Sequence, residues 1–579
     1  MSGRRALAGM LAFCAVLVAA AGLQVLYWWG GHRLVAYEFS HPAGPFLFNL
    51  ISTPGPHALD EYLARADSVW AWFQATWMFV AAVLILEPAL AGATARAHAA
   101  SLRFGHACGR HRSVFLIAGA AAVAVSSALI GWLALLHFPN SGDEYCYLYQ
   151  AQTFLAGRFG NTPHPLQTFF ETSHVIVRNG HLFSVFPPGF PLIIAAAARV
   201  GLPAWTLNPL LSAGLFVLTF ELTRRVTGSD ATGALAAITL VASSYFLLTG
   251  ASFFSHTACA FLVVATMVGM LRMSEGSALG ALLAGLAAGL AVITRYYTPI
   301  LCLLPIAIVL WRERPWRRAY VWAIAGALPS LAFIVAYNHA LTGNALLLSK
   351  AGVGNYDELW FAPGTWHRGA ELIAARLADL MLWTPAVLLI AYVAGLRRTP
   401  VGSRLGAVSA GFALLVIGLY PYINRAGNQY GPRFYFDGLP LLVIGAAAML
   451  FDPTPYAERS RGARRIVYLF FVSLIVHVPI AASQIQAAHA EIVERLDLAR
   501  QVDAAHLQHA LVFVLTPVGT MPPTDYIRDG IDFDGSVLFA RDRGDLNREL
   551  QTYYADRACY TYRFEPATHT GSLRPCGPR

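Results

Sequence analysis

The stretch His137-Phe-Pro-Asn-Ser-Gly-Asp143-Glu144-Tyr-Cys-Tyr-Leu-Tyr-Gln-Ala151 follows an uncharged apolar run, residues 113–136. Two adjacent carboxylates at the end of a membrane helix cost free energy unless they meet water, a metal, a cation or a substrate. The Tyr-rich segment after them is weakly amphipathic and suited to lying along a membrane surface. The stretch therefore predicts a membrane protein with a functional site where this helix leaves the bilayer.

Composition supports the membrane assignment. Of the 579 residues, 56% are hydrophobic and only 13% are charged, with a mean hydropathy of +0.52. Soluble domains average about 25% charged residues, so this chain is expected to be an integral membrane protein. The net charge of +9 comes from short basic clusters between apolar runs. That pattern sets membrane topology and argues against nucleic-acid binding.

The seven cysteines show no metal-binding spacing. Four of them lie in or beside apolar runs, where cysteine usually packs as a small apolar side chain. Cys559 and Cys576 differ, because both fall in the polar C-terminal tail. We expect them to be able to form a disulfide if that tail lies outside the cytoplasm.

The apolar runs predict about thirteen membrane-spanning helices, since a span needs roughly 20 apolar residues. The predicted spans are 6–28, 70–93, 113–137, 205–223, 230–249, 257–273, 278–294, 298–311, 319–338, 379–396, 405–423, 437–451 and 466–484. The first is interpreted as an uncleaved span, because its apolar run is too long for a signal peptide. The 14-residue run 188–201 begins with prolines and is expected to lie at the interface or to re-enter without crossing.

The positive-inside rule supports this interpretation of 188–201. If that run does not cross, nearly every arginine cluster falls on one side of the membrane. The N-terminus is then cytoplasmic, and the long polar loops and the C-terminal tail lie outside. The predicted fold is an all-α polytopic membrane protein with a small extracytoplasmic α/β domain. Its predicted parts are an N-terminal two-span extension (1–112), a membrane catalytic region (113–484) and the soluble tail (485–579).

Residues 138–273 and 424–441 resemble the polyprenyl-phosphate-sugar-dependent glycosyltransferases of the GT-C fold, which include protein O-mannosyltransferases (family 39) and lipid A aminoarabinose transferases. The motifs that carry the resemblance are Ser141–Tyr145, Phe186–Leu192, Asn208–Leu210, Glu221–Gly228, Ser252–His256 and Tyr430–Phe436. Their order and their shared side of the membrane make the set more specific than any one motif. One departure is that two additional spans precede the acidic pair, which in the family usually follows the first span.

The resemblance implies inverting transfer of a sugar from a polyprenyl-phosphate donor to an acceptor hydroxyl of an envelope lipid, glycan or protein. An acceptor hydroxyl needs a general base, for which we choose Asp143. Glu144 is expected to orient that base, contact the sugar or bind a divalent cation such as Mg²⁺ or Mn²⁺, although no cofactor is firmly implied. Guanidinium and phenol groups stabilise the leaving phosphate. The residues expected to bind substrate are Arg433, Arg295, Tyr296, Tyr430, Tyr145 and His256. Of these, Arg433 and Arg295 are the expected cationic partners of the acidic pair.

Each of these residues also has an interpretation without a catalytic role. Ser141-Gly-Asp143-Glu144 precedes a helical pattern and could simply cap that helix. Arg295 could reach the lipid headgroups. Asp60-Glu61-Tyr62 repeats the acidic tripeptide directly after the first span and is a rival site, although its charged context is typical of an exposed amphipathic helix. Weaker candidates for substrate contacts are Arg425, Lys350 and Asp357-Glu358.

The alternatives to an enzyme are a transporter or flippase of a lipid-linked substrate and a non-catalytic protein of envelope polysaccharide assembly. A transporter is expected to carry ionisable residues in mid-span, whereas here they gather near the ends of the spans. The high Ala and Arg content and the absence of ER-retention signals favour a bacterial inner (plasma) membrane. The expected partners are the lipid bilayer, a lipid-linked sugar donor and an envelope acceptor, with no nucleic acid.

Overall fold

The computed structural model describes residues 2–27, 29, 59–313, 317–349, 351, 366–419, 429–515, 526–565 and 570–577. This part of the chain is mostly helical, as the composition predicted. Its helices are α1 (Ser2–Leu26), α2 (Leu59–Arg110), α3 (Arg112–Leu133), α4 (Gly142–Leu155), α5 (Gly189–Arg199), α6 (Ala204–Thr227), α7 (Asp230–Val241), α8 (Ser244–Ala251), α9 (His256–Ser274), α10 (Ala278–Thr294), α11 (Thr298–Arg312), α12 (Arg317–Thr342), α13 (Trp366–Trp383), α14 (Val387–Arg398), α15 (Arg404–Gly418), α16 (Leu439–Leu450), α17 (Arg461–Arg495), α18 (Asp497–Ala504) and α19 (Asn547–Tyr553).

Seven helices of the described residues are long and apolar enough to cross a membrane. Two helix pairs, α7 with α8 and α13 with α14, are bent by 67° and 114°, and the count rises to nine if each pair is one span. Each of the thirteen predicted spans overlaps a helix or a bent pair, but α1, α10, α11 and α15 offer only shorter apolar segments. The chain is a multi-pass membrane protein, and the figure of thirteen stays a prediction.

Helix α5 is the run 188–201 that we expected not to cross. It has 11 residues, which at 1.5 Å per residue spans about 16 Å, roughly half of the hydrocarbon core. It packs against α4 and α10 with Phe190 and Ile194 buried. Its N-terminal Gly189 lies against the backbone of Ile293 and Thr294, where a Cβ atom would collide. The glycine thus brings α5 to the end of α10 that carries Arg295.

Glycines also allow helices α10 and α12 to approach each other closely. A Cβ atom on Gly285 of α10 would strike the carbonyl of Ala323 in α12, and one on Gly326 of α12 would strike the carbonyl of Leu282. Small residues allow membrane helices to approach until their backbones touch, which replaces the hydrophobic driving force that lipid cannot supply. The pair α10–α12 is therefore joined by backbone packing.

The arginine-rich helix ends lie together at one end of the bundle. Glu221 near the end of α6 binds Arg112 at the start of α3 (3.0 Å), and Arg225 binds Glu275 after α9 (2.7 Å). Arg404 binds Glu313 at 2.7 Å and lies within electrostatic range of Glu275. The acidic pair follows the opposite end of α3. The arginine clusters and the acidic stretch thus occupy opposite ends, as the topology prediction requires.

The tail forms a small α/β domain, as expected from its strand patterns. Strands β3 (Ala510–Leu515), β4 (Val537–Arg541), β5 (Ala558–Glu565) and β6 (Thr570–Pro575) form a sheet of order β4-β3-β5-β6. Strand β3 pairs in parallel with β4 and β5, whereas β5 and β6 are antiparallel. Cys559 of β5 and Cys576 are joined by a disulfide with a Cα–Cα distance of 5.4 Å. We had not predicted β6.

This C-terminal domain covers the loop region around α4. A hairpin of β1 (Val175–Arg178) and β2 (His181–Ser184) lies in that region. Ion pairs join Arg158 to Asp532 (2.5 Å) and Arg541 to Glu171 (2.6 Å) across the contact. The buried side chains Phe169 and Phe170 belong to the same apolar cluster as the inner face of the sheet. The domain therefore packs directly on the segment that carries the acidic pair.

Candidate active site

The acidic pair opens helix α4, and the local sequence explains why. Ser141 has extended backbone angles and accepts a hydrogen bond from the Glu144 N–H, while the Glu144 carboxylate accepts one from the Ser141 N–H. This reciprocal arrangement is a capping box. The Glu144 carboxylate also accepts the Phe253 N–H at 2.9 Å. Glu144 therefore fixes the start of α4 and ties it to the loop between α8 and α9.

Glu144 is almost completely buried, and burial raises the pKa of its carboxyl to about 7 in spite of these hydrogen bonds. Its oxygens are engaged with Ser141 and the backbone N–H of Phe253. The helix-capping interpretation thus describes Glu144 better than the contact with sugar or metal that we expected. That expected role of Glu144 stays a prediction.

Asp143 is held by two cationic or potentially cationic side chains. Its Oδ2 atom lies 3.0 Å from a guanidinium nitrogen of Arg433, and its Oδ1 atom lies 3.0 Å from Nε2 of His174. All three side chains are largely buried. Arg433 was expected to be a partner of the acidic pair. The structure brings Arg433 and Asp143 together although 290 residues separate them in the sequence. The guanidinium of Arg433 thus lies where it can offset the charge of the Asp143 carboxylate.

His174 is a residue that the sequence did not single out for this site. It has a left-handed backbone with φ of 64°, which is costly for a residue other than glycine. Its carbonyl is fixed by hydrogen bonds from the Val185 N–H and the Cys146 thiol. The strained backbone aims the imidazole at Asp143. The role of His174 is visible only in the structure, because its spacing from the other histidines in the sequence fits no metal-binding motif.

Arg295 does not contact Asp143, contrary to our expectation that it would be a second cationic partner of the acidic pair. Its guanidinium lies 2.8 Å from Asp437, a fully buried carboxylate, and 3.0 Å from Nε2 of His256. Because a guanidinium only donates hydrogen bonds, Nε2 of His256 must accept here. Thr298 also donates to Asp437. The site therefore contains two carboxylate–arginine pairs, and Asp437 is a second carboxylate that the sequence did not assign to the site.

Three arginines surround the ring of Phe434. The guanidinium carbons of Arg433, Arg376 and Arg295 lie 5.5, 5.5 and 5.9 Å from its centroid. A cation near an aromatic ring is stabilised by the ring quadrupole. Arg376 belongs to α13 and is 1% exposed. Sequence reasoning missed it because it lies mid-helix, between apolar residues.

The three tyrosines that were expected to bind substrate lie in different environments. Tyr145 donates its hydroxyl to the carbonyl of Asp529 in the C-terminal domain (2.7 Å), so it joins two parts of the fold. Tyr430 is 4% exposed and has φ of 56°, a second strained residue at the site. The Tyr296 hydroxyl is buried near Ser349. None of the three donates a hydrogen bond to Asp143 in the contacts that the structure describes.

The described residues contain no group of three His, Cys, Asp or Glu side chains arranged to bind a metal ion. Both oxygens of Asp143 already face Arg433 and His174, and the metal-binding role considered for Asp143 and Glu144 stays a prediction. The rival pair Asp60-Glu61 lies in the first turn of α2. Lys350, Asp357-Glu358 and Arg425 lie outside the described residues.

Comparison with known proteins gave no matching family model and no matching curated protein. Solved structures similar to the chain include ArnT from Cupriavidus metallidurans bound to undecaprenyl phosphate, with 14% identity, a TM-score of 0.47 and coverage of 79% of this chain and 94% of ArnT. Another is the oligosaccharyltransferase of Archaeoglobus fulgidus in its apo form, with 13% identity, a TM-score of 0.38 and coverage of 68% and 62%. These proteins belong to the GT-C group that the motifs resemble. At such low values the likeness carries no argument about activity, and we base the function on contacts within this chain.

Proposed function

We propose that this protein is a membrane glycosyltransferase that moves a sugar from a polyprenyl-phosphate donor to an acceptor hydroxyl of an envelope lipid, glycan or protein, with inversion at the anomeric carbon. The observation that carries the proposal is the buried Asp143, held by Arg433 and His174 at the start of α4. This carboxylate lies beside a second arginine–carboxylate pair. A general base next to cations is what transfer from a phosphate leaving group requires.

The reaction follows from these positions. Asp143 accepts the proton of the acceptor hydroxyl while that oxygen attacks the anomeric carbon of the donor sugar. The bond between the anomeric carbon and the phosphate oxygen breaks, and polyprenyl phosphate leaves with the electron pair. Arg433 and Arg295 offset the negative charge that grows on the phosphate. Attack from the side opposite the phosphate inverts the anomeric centre.

The proposal also explains why both oxygens of Asp143 are engaged. The phosphodiester of a bound donor would compete with Asp143 for Arg433, because its two non-bridging oxygens share a negative charge and can accept from the same guanidinium. When Arg433 turns to the phosphate, Asp143 loses a cation that lowers its basicity. Donor binding thus makes Asp143 a better base at the moment when an acceptor can react. Arg295 stays positioned by Asp437 and His256.

The placement in the cell is part of the same proposal. The arginine-rich end of the bundle would face the cytoplasm of a bacterium, and the site and the C-terminal domain would face outward from the plasma membrane. Arg433 and Arg295 supply positive charge for the phosphate, and a divalent cation such as Mg²⁺ or Mn²⁺ stays part of the proposal as an additional source of that charge. A divalent cation requirement would show as loss of transfer after treatment with a chelator.

The experiment is reconstitution of the purified protein into vesicles with a labelled polyprenyl-phosphate sugar and an envelope extract. We expect label to enter a covalent product and polyprenyl phosphate to be released in equal amount. Asp143→Asn should lower both by about 10²- to 10⁴-fold. Movement of the labelled lipid across the bilayer with no covalent product would support the flippase alternative and refute the enzyme.

A further inference from the structure

Helix α2 has 52 residues, more than twice the roughly 20 that a membrane span needs. Its predicted span, residues 70–93, leaves the C-terminal part of the helix without a role. A proline, Pro88, lies inside the helix, and we call residues 88–110 the α2 segment. The contacts of this segment show where it lies on the bundle.

Both ends of the α2 segment meet the arginine-rich end of the bundle. Glu87, directly before the segment, lies 3.7 Å from Arg465 near the start of α17. Gly109 packs so closely on Asp230, the first residue of α7, that a Cβ atom would collide. The 22 residue steps from 87 to 109 rise about 33 Å, roughly the thickness of the hydrocarbon core. Because both ends stay at one end of the bundle, the segment runs along that end and does not cross.

One face of the α2 segment is sealed against the protein. Its buried residues are Thr94, His98, Gly105 and Cys108, at the spacing of a helix face. The Nε2 atom of His98 lies 3.1 Å from the carbonyl of Leu450, the last residue of α16. The segment thus closes the ends of α16 and α7 from below, and its other side faces away from the protein.

The outward side of the α2 segment carries a stripe of three exposed arginines. Arg96, Arg103 and Arg110 are seven residues apart, and every seventh residue returns to nearly the same side of an α-helix. Successive arginines are therefore about 10 Å apart along the helix. Residues 88–112 contain no Asp or Glu, and none of the three arginines forms an ion pair with another described residue. The stripe is a row of positive charge.

An apolar flank lies between this stripe and the buried face. Phe104 is 56% exposed and Leu90 is 41% exposed, and both lie to the same side of the arginines on the helix. Ala93 and Ala100 are exposed between them. A helix with an apolar flank beside a basic one lies in the plane of a membrane interface, with the apolar flank against the acyl chains and the basic one at the headgroups.

We propose that the stripe of Arg96, Arg103 and Arg110 binds the headgroups of anionic phospholipids in the leaflet at the arginine-rich end. Guanidinium groups bind phosphate oxygens with charge-assisted hydrogen bonds. Basic residues on an amphipathic helix attract anionic lipid in addition to fixing topology. The apolar flank selects a lipid over a free phosphate, because only a lipid brings acyl chains to it. This inference goes beyond the proposed sugar transfer and does not depend on it.

The test uses the full-length protein in detergent, titrated with phosphatidylglycerol or with phosphatidylcholine of the same acyl chains. Native mass spectrometry counts the bound lipids and gives a dissociation constant for each. Both lipids contain a phosphate, but only phosphatidylglycerol has a net negative charge. Wild-type protein should bind phosphatidylglycerol at least about fivefold more tightly than phosphatidylcholine.

The decisive variant is Arg96→Gln/Arg103→Gln/Arg110→Gln. It should weaken binding of phosphatidylglycerol by at least about fivefold and leave binding of phosphatidylcholine unchanged. The matched control replaces three exposed arginines of the C-terminal domain, Arg500→Gln/Arg548→Gln/Arg574→Gln, and so removes the same net charge at the opposite end. The control should bind both lipids as the wild type does, and thermal unfolding curves show that each variant is folded.

Three results would overturn the proposal. The first is equal binding of the two lipids by the wild-type protein, and the second is an equal loss of phosphatidylglycerol in the stripe variant and the control. The third is displacement of phosphatidylglycerol by excess glycerol 3-phosphate, which carries the phosphate without acyl chains and would identify a site for free phosphate. A stripe variant that loses phosphatidylglycerol selectivity but keeps sugar transfer supports the proposal, since none of the three arginines belongs to the candidate active site.

Discussion

Replacing Asp143 with asparagine keeps the shape of the side chain and removes the charge that faces Arg433 and His174. A positioned general base contributes about 10²- to 10⁴-fold to rate. We therefore expect Asp143→Asn to lower kcat by that factor, which corresponds to about 3–5 kcal/mol of activation free energy. The KM for the donor should fall or stay unchanged, because Arg433 no longer has a carboxylate that competes with the donor phosphate.

The same substitution also leaves Arg433 without its buried partner. Breaking a buried ion pair typically costs about 3–5 kcal/mol of stability, and here both side chains are nearly buried. The double variant Asp143→Asn/Arg433→Gln removes both charges and should recover most of that stability. It should not recover activity. This difference separates loss of the base from loss of the fold.

The assay is single-turnover transfer from a labelled donor in vesicles, with unfolding curves for each variant. Asp60→Asn is the control for the rival acidic pair and should transfer at the wild-type rate. If Asp143→Asn kept more than about a tenth of wild-type kcat, the assignment of the base would be wrong. Loss of activity in Asp60→Asn, with Asp143→Asn unaffected, would move the base to the rival site.

Other outcomes follow from the remaining contacts. Arg433→Gln should raise the KM for the donor by about 10- to 100-fold. Arg500→Gln, which changes an exposed arginine of α18, should leave that KM unchanged. Equal effects of the two substitutions would refute the role of Arg433 in phosphate binding. Burial raises the pKa of Asp529 from 3.8 to about 7, so the folded protein holds this proton to higher pH than the unfolded chain does. The free energy of unfolding should therefore fall by about 3 kcal/mol as pH rises from 4 to 7. Asp529→Asn should remove that part of the pH dependence, and unchanged pH dependence in melting curves would contradict it. Cys559→Ser removes a disulfide between residues 17 positions apart and should lower the stability of the C-terminal domain by about 3 kcal/mol. Chemical denaturation measures this loss, and Cys146→Ser is the control that leaves the disulfide intact.

Local sequence patterns predicted the elements of the fold well. The apolar runs marked the helices, since length and hydropathy alone decide whether a segment can cross a bilayer. Ser141 and Glu144 at the required spacing marked the start of α4. Short apolar runs in the tail marked β3 and β4, and alternation marked β5. Strand β6 was missed because Thr570–Pro575 contains glycine, serine and proline and carries no alternation.

The pairing of charges could not be predicted in the same way. Asp143, His174 and Arg433 come from a helix start, a strained loop and a 3₁₀ turn, and each could have met several partners. We placed Arg295 beside the acidic pair, but Asp437 binds it instead. A guanidinium reaches the nearest buried carboxylate, and which one is nearest depends on how the helices pack.

The sequence by itself thus determined that this chain lies in a membrane, that its arginine clusters and its acidic stretch belong to opposite ends of the bundle, and that a capped helix begins at the stretch. These properties depend on composition, hydropathy and residues a few positions apart. Only the tertiary structure decided that Asp143 faces Arg433 and His174, and that the C-terminal domain packs on the segment that carries the acidic pair. Those contacts join residues hundreds of positions apart, and packing alone brings such residues together.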